Sequence, residues 1–186
     1  MNIHAEKRLI DRLPQRSVAD SGFAHSTMIE TLRQLPLHHI EGIWKFPATG
    51  SEVAIVRSNP DINNPTAPVN LYHIILFTSD SRAIRPGTIM GFITPSSTQG
   101  EYDARIYTSS VGSTLIMPKT FTLTLAENDT SLRFKQKKSA FSINLWRLLP
   151  YLWRYTIHPN TSTDTQTDGC IRIFPEPPVP REPIYL

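Results

Sequence analysis

Over much of its length the chain alternates apolar and polar residues with a period of two, the pattern of a β-strand with one buried face. Residues 121–125 show it most clearly, because phenylalanine and leucine alternate there with threonine. The same alternation recurs at residues 102–106, 132–135 and 141–145. More uniformly apolar runs at residues 53–56, 71–77 and 89–93 indicate strands that are buried on both faces.

The connections between these runs decide the fold class. They are polar or rich in proline and asparagine, as at residues 58–70 and 127–130, and none reads as an amphipathic helix. Parallel strands need such crossover connections, so we expect the strands to pair antiparallel. We therefore predict an all-β, mainly antiparallel fold: a single closed or partly open barrel of about seven to eight strands, because closure removes exposed strand edges.

The two ends of the chain depart from this pattern. Residues 1–25 have no period and predict an irregular N-terminal arm. Thr27 and Glu30 form a capping box before a short helix over residues 27–35, which Pro36 ends. A second short helix is predicted within residues 146–155 and a last strand at residues 170–174, so that residues 26–174 form the barrel domain and residues 175–186 a proline-rich extended tail.

Composition narrows the class of protein. The chain has 186 residues, about one domain, and a formal net charge of +3, which is too dilute to predict a nucleic-acid-binding face. No apolar run approaches the roughly 20 residues of a membrane-spanning helix. No signal peptide is visible, which leaves the compartment open: cytoplasmic, or extracytoplasmic if a leader was removed.

Gly42-Ile43-Trp44 opens the first predicted strand, directly after the short helix and a turn. This resembles the G-x-W signature of lipocalin-like barrels, where the chain enters the barrel. The resemblance implies that Trp44 closes one end of a ligand cavity and that an arginine lies over it, for which Arg133 and Arg147 are the candidates. The long loop follows the second strand here, unlike in that family, and the alternative is that Trp44 is only a large core residue.

A barrel of about eight strands has room for side chains or for one small ligand. Aromatic residues expected to face inward, and to contact an apolar ligand if a cavity exists, are Trp44, Phe77, Phe92, Tyr102, Phe121 and Phe134. Six such side chains are also large enough to fill a small barrel. The sequence therefore permits a cavity without requiring one.

A second motif surrounds the only cysteine, in the segment Thr167-Asp168-Gly169-Cys170-Ile171-Arg172. It resembles the S-x-G-C-x-R motif of L,D-transpeptidases, which act on peptidoglycan peptides. The resemblance implies that Cys170 is a nucleophile, His158 its base and Arg172 an organiser of the site. Pro159 stands where that family has glycine, and Asp168 would raise the pKa of a neighbouring thiol. The alternative is a buried structural cysteine in the last strand.

The remaining candidates concern partners and metals. An aromatic cluster that contains Trp146, Tyr151 and Trp153 either packs against a barrel end or forms a surface for a protein partner. No cofactor or metal site is expected, because no ligand-spaced motif occurs and the adjacent His38 and His39 would point to opposite faces of a strand. The leading hypothesis is a non-enzymatic, lipocalin-like barrel that binds a small apolar ligand or a protein partner. The cysteine transpeptidase is the alternative.

Overall fold

The computed structural model describes residues 14–17, 19, 22–34, 36–58, 70–79, 83–126, 128–136 and 169–176. In this part of the chain one helix precedes eight strands: α1 (His25–Gln34), β1 (Gly42–Lys45), β2 (Glu52–Arg57), β3 (Tyr72–Thr78), β4 (Ile89–Pro95), β5 (Glu101–Val111), β6 (Thr114–Leu125), β7 (Ser131–Gln136) and β8 (Gly169–Phe174). The predicted strand at residues 141–145 and the predicted helix at residues 146–155 lie outside the described residues.

The strands form one closed barrel. Each pairs antiparallel with the next along the chain, and β8 pairs antiparallel with β1. The predicted all-β, antiparallel barrel is thus confirmed, and it is closed rather than partly open. The strand order is sequential because short connections join most neighbours, and closure gives β1 and β8 partners on both sides.

The two ends of the barrel are distinct. The entry end is the end at which the chain enters β1, and it also holds the starts of β3, β5 and β7 and the ends of the even-numbered strands. We call the other end the opposite end. At the entry end Gly42 has a φ of +143°, and a Cβ atom there would lie 2.1 Å from the carbonyl oxygen of Phe174. Glycine at this position therefore allows β8 to close against β1.

Apolar side chains fill the middle of the barrel. Trp44, Leu123 and Leu132 are 0% exposed, and Ile55 and Phe121 are 1% exposed. A water-sized void beside these side chains would leave part of their surface accessible. The centre of the barrel is therefore packed with the protein's own side chains.

A second, smaller apolar cluster lies outside the barrel. Helix α1 packs Leu32 against Ile43, Ala54 and Phe77, which point outward from the first three strands. Helix α1 begins two residues before the predicted helix and ends one residue before its predicted end. The apolar stripe in its sequence is short, and accordingly Leu32 is the one buried residue of the helix.

Two aromatic residues that we expected to face inward lie on the outer face instead. Phe77 follows the inward-facing Leu76 at an irregularity in the β2–β3 pairing, and it packs under α1. Phe92 is buried, but its neighbour Ile93 pairs with the inward-facing Tyr72, so strand alternation turns the Phe92 ring outward, toward His73 and Tyr107. The prediction is wrong for both because a continuous apolar run does not reveal which residues face the interior; pairing register and bulges decide that.

Candidate functional site

The side chain of Arg172 covers Trp44 at the entry end. Its guanidinium carbon lies 4.5 Å from the centre of the indole ring, in a cation–π arrangement. The two residues meet because they are register partners on β1 and β8. The Nε1–H of Trp44 donates a hydrogen bond of 3.0 Å to the carbonyl oxygen of Ile40, so its only polar atom is satisfied.

Backbone carbonyl groups hold Arg172 in this position. It donates to the carbonyl oxygens of Asp129 at 2.7 Å and Glu41 at 3.1 Å, and also to that of His39. Asp129 offers its carbonyl from the β6–β7 turn, where its own φ is +57°. These bonds connect β8 to the β6–β7 turn and to the segment that precedes β1. Together they close the entry end.

The arginine over the tryptophan is therefore neither of the two that we considered. Arg133 is exposed on β7 and pairs with Gly169, and Arg147 lies outside the described residues. The resemblance to L,D-transpeptidases implied a different role for Arg172, as an organiser of the site around Cys170. Its position opposite Trp44 follows from the β1–β8 register, which no local sequence pattern encodes.

A buried ion pair adjoins this closure. Glu41 is 2% exposed, and its carboxylate accepts hydrogen bonds from the side chain of Arg57, the shortest at 2.7 Å. It also accepts from the backbone N–H groups of His38 at 2.7 Å and Arg57 at 2.9 Å. The same Arg57 nitrogen that makes the 2.7 Å bond, Nη2, also donates to the carbonyl oxygen of Pro36 at 2.5 Å. Sequence reasoning missed this pair; the only signal was an acidic residue directly before an apolar strand.

The hydrogen bonds of Glu41 govern its ionisation. Burial alone would raise the pKa of this carboxyl, but the donors of Arg57 and the backbone N–H groups outweigh burial, so the pKa lies below its ordinary value. Glu41 is thus a carboxylate at neutral pH. It fixes the strand end that carries Arg57 to the segment that leads into β1.

Beside this network the entry end holds an open groove of about 390 Å³. We call it the entry-end groove. One wall is the segment before β1, with His38 and His39, and the other is the β4–β5 connection from Pro95 to Gly100. Tyr72 and Tyr102, which the strand register places on the inner face, also line it. The groove therefore reaches from solvent to the end of the packed core.

The groove combines apolar surface with hydrogen-bonding groups. The Tyr72 hydroxyl lies 2.7 Å from Nδ1 of His38, within hydrogen-bonding distance. Burial raises the pKa of Tyr72, and burial together with the charge of Asp129 raises that of Tyr102. Both phenols are therefore neutral at physiological pH. Such a site can hold a small, largely apolar molecule and orient it through a few polar contacts.

The other inward-facing aromatic residues lie away from this groove. Trp44 and Phe121 belong to the packed centre, and Phe134 packs at the opposite end against Phe46, with ring centres 5.6 Å apart. Of the six predicted ligand contacts, Tyr102 alone lines the entry-end groove. A further cavity of about 240 Å³ lies between α1 and β2, on the outside of the barrel.

Cys170 faces the interior of the barrel. It is 2% exposed and pairs in register with Leu132 of β7. Burial strongly raises the pKa of its thiol, more than the hydrogen bond and the charge of Arg172 lower it. A thiol of this kind is protonated at neutral pH and has no path to a peptide substrate. The predicted base, His158, lies outside the described residues.

The remaining predictions concern a partner surface, membrane helices and metal sites. Trp146, Tyr151 and Trp153, the proposed partner surface, are outside the described residues. Within the described ranges, no helix has the length and apolar character needed to cross a membrane. The same ranges contain no group of three or more His, Cys, Asp or Glu side chains arranged to hold a metal ion.

Comparison with models of protein families, with curated proteins and with solved structures gives no match. The function must therefore be argued from the site itself.

Proposed function

We propose that this protein is a non-enzymatic, lipocalin-like binding module that holds a small, mainly apolar ligand in the entry-end groove. The observation that carries the proposal is the contrast between a packed barrel centre and an open groove of about 390 Å³ over Tyr72 and Tyr102. A volume of this size is at the lower end of the range for small-molecule sites.

The chemistry of the groove supports a ligand with one or two polar groups. Leu37, Pro95 and the tyrosine rings offer apolar contact, whereas His38 and Glu101 offer hydrogen-bonding and charged groups near the rim. The Glu41–Arg57 pair stabilises the segment that carries His38, since Glu41 accepts a hydrogen bond from the His38 N–H. A wall fixed in this way lowers the entropic cost of binding.

The lipocalin-like part of the proposal depends on Arg172 and Trp44. The first-strand G-x-W motif, the antiparallel barrel and an arginine stacked on the tryptophan all agree with that resemblance. One feature departs from it: the barrel centre is filled around Phe121 and Leu123, which is why we place the ligand at the barrel end instead.

A fragment screen by ligand-observed NMR tests the proposal. Thr98 and Thr124 are both exposed threonines, but only Thr98 lines the groove. We expect Thr98→Trp to obstruct the groove and weaken the binding of groove ligands by about tenfold or more, which corresponds to the loss of one or two good contacts. The matched variant Thr124→Trp should bind them as the wild type does.

Two results would contradict the proposal. The first is that no small aromatic fragment binds saturably to the wild-type protein. The second is that every fragment binds Thr98→Trp and the wild type equally well, which would place the ligand elsewhere.

The transpeptidase alternative has less support. A catalytic cysteine needs an accessible thiolate beside a base, whereas Cys170 is buried among apolar side chains and its pKa is raised. The residue that would organise its site, Arg172, is engaged with Trp44 and three backbone carbonyl groups. These contacts favour a structural role for the whole motif.

A further inference from the structure

A tyrosine and a histidine share one hydrogen bond in the wall of the entry-end groove. The Tyr72 hydroxyl oxygen lies 2.7 Å from Nδ1 of His38, and both side chains belong to residues that line the groove. A hydroxyl group can donate or accept, and so can a ring nitrogen of histidine, depending on where the protons lie. The direction of this bond therefore decides what Tyr72 offers to a ligand.

The Tyr72 hydroxyl depends on His38 for its partner inside the protein. Within the described ranges it makes no other hydrogen bond, and the residue is only 4% exposed. Burial raises the pKa of the phenol, so the hydroxyl keeps its hydrogen at physiological pH. When His38 does not accept this hydrogen, the groove that Tyr72 lines is where an acceptor must be found.

The neutral imidazole of His38 accepts the hydrogen of Tyr72. Neutral histidine carries one ring proton, on either Nδ1 or Nε2. With the proton on Nε2, the Nδ1 atom accepts from the Tyr72 hydroxyl and both groups are satisfied. With the proton on Nδ1, Tyr72 would be left as a buried donor without an acceptor in the protein, which costs free energy. The geometry therefore favours the Nε2–H form.

Protonation of His38 reverses the same bond. Both nitrogens of an imidazolium ring carry hydrogen, so Nδ1 can then only donate, and the Tyr72 oxygen accepts. The phenolic hydrogen turns away from His38 and becomes available in the groove. Histidine is the side chain that changes charge between about pH 5 and pH 8, so this reversal belongs to mildly acidic conditions.

The surroundings of His38 tolerate its charge. The side chain is 47% exposed, and its Nδ1 atom lies 4.0 Å from Oε2 of Glu41. The Glu41 carboxylate is also bound by Arg57, so charges of both signs adjoin the imidazole. The titratable and charged side chains around His38 are Glu41 and His39 from the segment before β1, Arg57 from β2, Tyr72 from β3, Glu101 and Tyr102 from β5, and Asp129 from the β6–β7 turn.

We propose that His38 and Tyr72 form a pH-dependent hydrogen-bond switch, which makes the entry-end groove prefer ligands with a carbonyl or similar acceptor group at mildly acidic pH. At neutral pH Tyr72 presents only its oxygen lone pair to the ligand, because its hydrogen is bound to His38. After protonation of His38 the same hydroxyl donates to the ligand. This inference rests on the proposed function, since it concerns the ligand of the same groove.

A matched pair of probes tests the switch. Acetophenone and ethylbenzene differ only in a carbonyl group that replaces a methylene group, and neither changes charge between about pH 5.5 and pH 7.5. We expect the wild type to bind acetophenone about fivefold more tightly at the lower pH, the factor that one net hydrogen bond implies. Ethylbenzene should bind equally at both. Glu41 stays a carboxylate throughout, because its pKa lies below its ordinary value. Ligand-observed NMR titrations measure the affinities.

Two variants separate the switch from a simple effect of charge at the rim. Tyr72→Phe keeps the ring and His38 but removes the hydroxyl, so it should bind acetophenone equally at both pH values. His39→Gln removes the neighbouring imidazole, whose Nδ1 atom faces Asp129 instead of a tyrosine, and it should keep the pH dependence. The opposite pattern, with dependence lost in His39→Gln and kept in Tyr72→Phe, would overturn the switch.

A measurement without ligand distinguishes failure of the switch from failure of the proposed function. Nitrogen NMR of the histidine rings should show neutral His38 with its proton on Nε2. A proton on Nδ1 would overturn the switch and leave the groove as a binding site. So would acetophenone that binds the wild type equally at both pH values and is weakened by Thr98→Trp. If neither probe binds saturably at either pH, the proposed function is contradicted and the switch is rejected with it.

Discussion

Two described contacts, one at each end of the barrel, depend on different kinds of interaction. At the entry end, Arg172 and Glu41 are buried charges that are satisfied by directed hydrogen bonds. At the opposite end, Phe46 and Phe134 pack through their rings and are only half-buried. The entry-end contacts depend on geometry because they are directed polar contacts, whereas the Phe46–Phe134 contact is apolar and non-directional.

This difference explains why the candidate site lies at the entry end. Directed hydrogen bonds fix backbone segments, and the segment before β1 becomes a firm wall of the groove through Glu41 and Arg172. Ring packing between Phe46 and Phe134 tolerates small shifts and fixes no comparable wall. The following changes at the two ends test the distinction.

The largest effect is expected for Arg172→Met, which keeps an unbranched side chain out to the ε position but removes the guanidinium donors and the charge. Carbonyl groups of His39, Glu41 and Asp129 lose their donor, and Trp44 loses its cation. We expect a loss of about 3–5 kcal/mol in the free energy of unfolding. Urea denaturation measures it, and Arg133→Met, at an exposed arginine of β7, should change stability by less than about 0.5 kcal/mol. If the two changes had equal effects on stability, the proposed role of Arg172 in closing the entry end would be contradicted.

Glu41→Gln should cost about 2–3 kcal/mol at neutral pH, since Arg57 loses its charged partner. The folded-state pKa of Glu41 is depressed, so its stabilising contribution is complete above the unfolded-state value and is lost as the pH falls further. The difference between wild type and Glu41→Gln should therefore shrink below about pH 4.5. A difference that stays constant from pH 7 to pH 3 would show that Glu41 does not act as a carboxylate.

Phe134→Ala probes the opposite end. The ring is half-buried against Phe46, so we expect a loss of about 2 kcal/mol, below that of a fully buried phenylalanine. The contact contains no titratable group, and the loss should not change between pH 4 and pH 7. Urea denaturation at both pH values checks this, and a strong pH dependence would undermine the contrast between the two ends. Val111→Ala, at an exposed position, is the control.

The last prediction concerns the reactivity of Cys170, for which we expect almost no labelling in the native state. Cys170 lies at the start of β8 and faces the core. Iodoacetamide at neutral pH should label it very slowly in the native protein and rapidly after denaturation, because burial raises the pKa of the thiol and blocks access. Rapid labelling of the native protein would support the transpeptidase hypothesis instead.

The barrel itself could be predicted because its cause is local. Alternation at residues 121–125 and 132–135 marks β6 and β7, and the short polar connections make neighbouring strands antiparallel. Closure follows from the need to cover the edges of β1 and β8. These inferences require only the period of the pattern and the length of the connections, and both are visible in the sequence.

The site could be predicted only in part, because it depends on register. The G-x-W motif located Trp44 and the entry of the chain, but Arg172 reaches it only through the pairing of the first strand with the last. The partnership of Glu41 with Arg57 likewise arises from the end of β2 coming back beside the start of β1. Phe77 faces outward because it follows the inward-facing Leu76, and an apolar run does not announce which of its residues face the interior. Local patterns specify strands, whereas the contacts between distant strands specify the site.

The most direct test of the account is a chemical-shift map of the wild-type protein with its best-binding fragment. We predict that the shifts concentrate at His38, Tyr72 and Tyr102 in the entry-end groove, with Phe46 and Phe134 unaffected. Shifts concentrated at Phe46 and Phe134 would contradict the proposed site and assign ligand binding to the opposite end of the barrel.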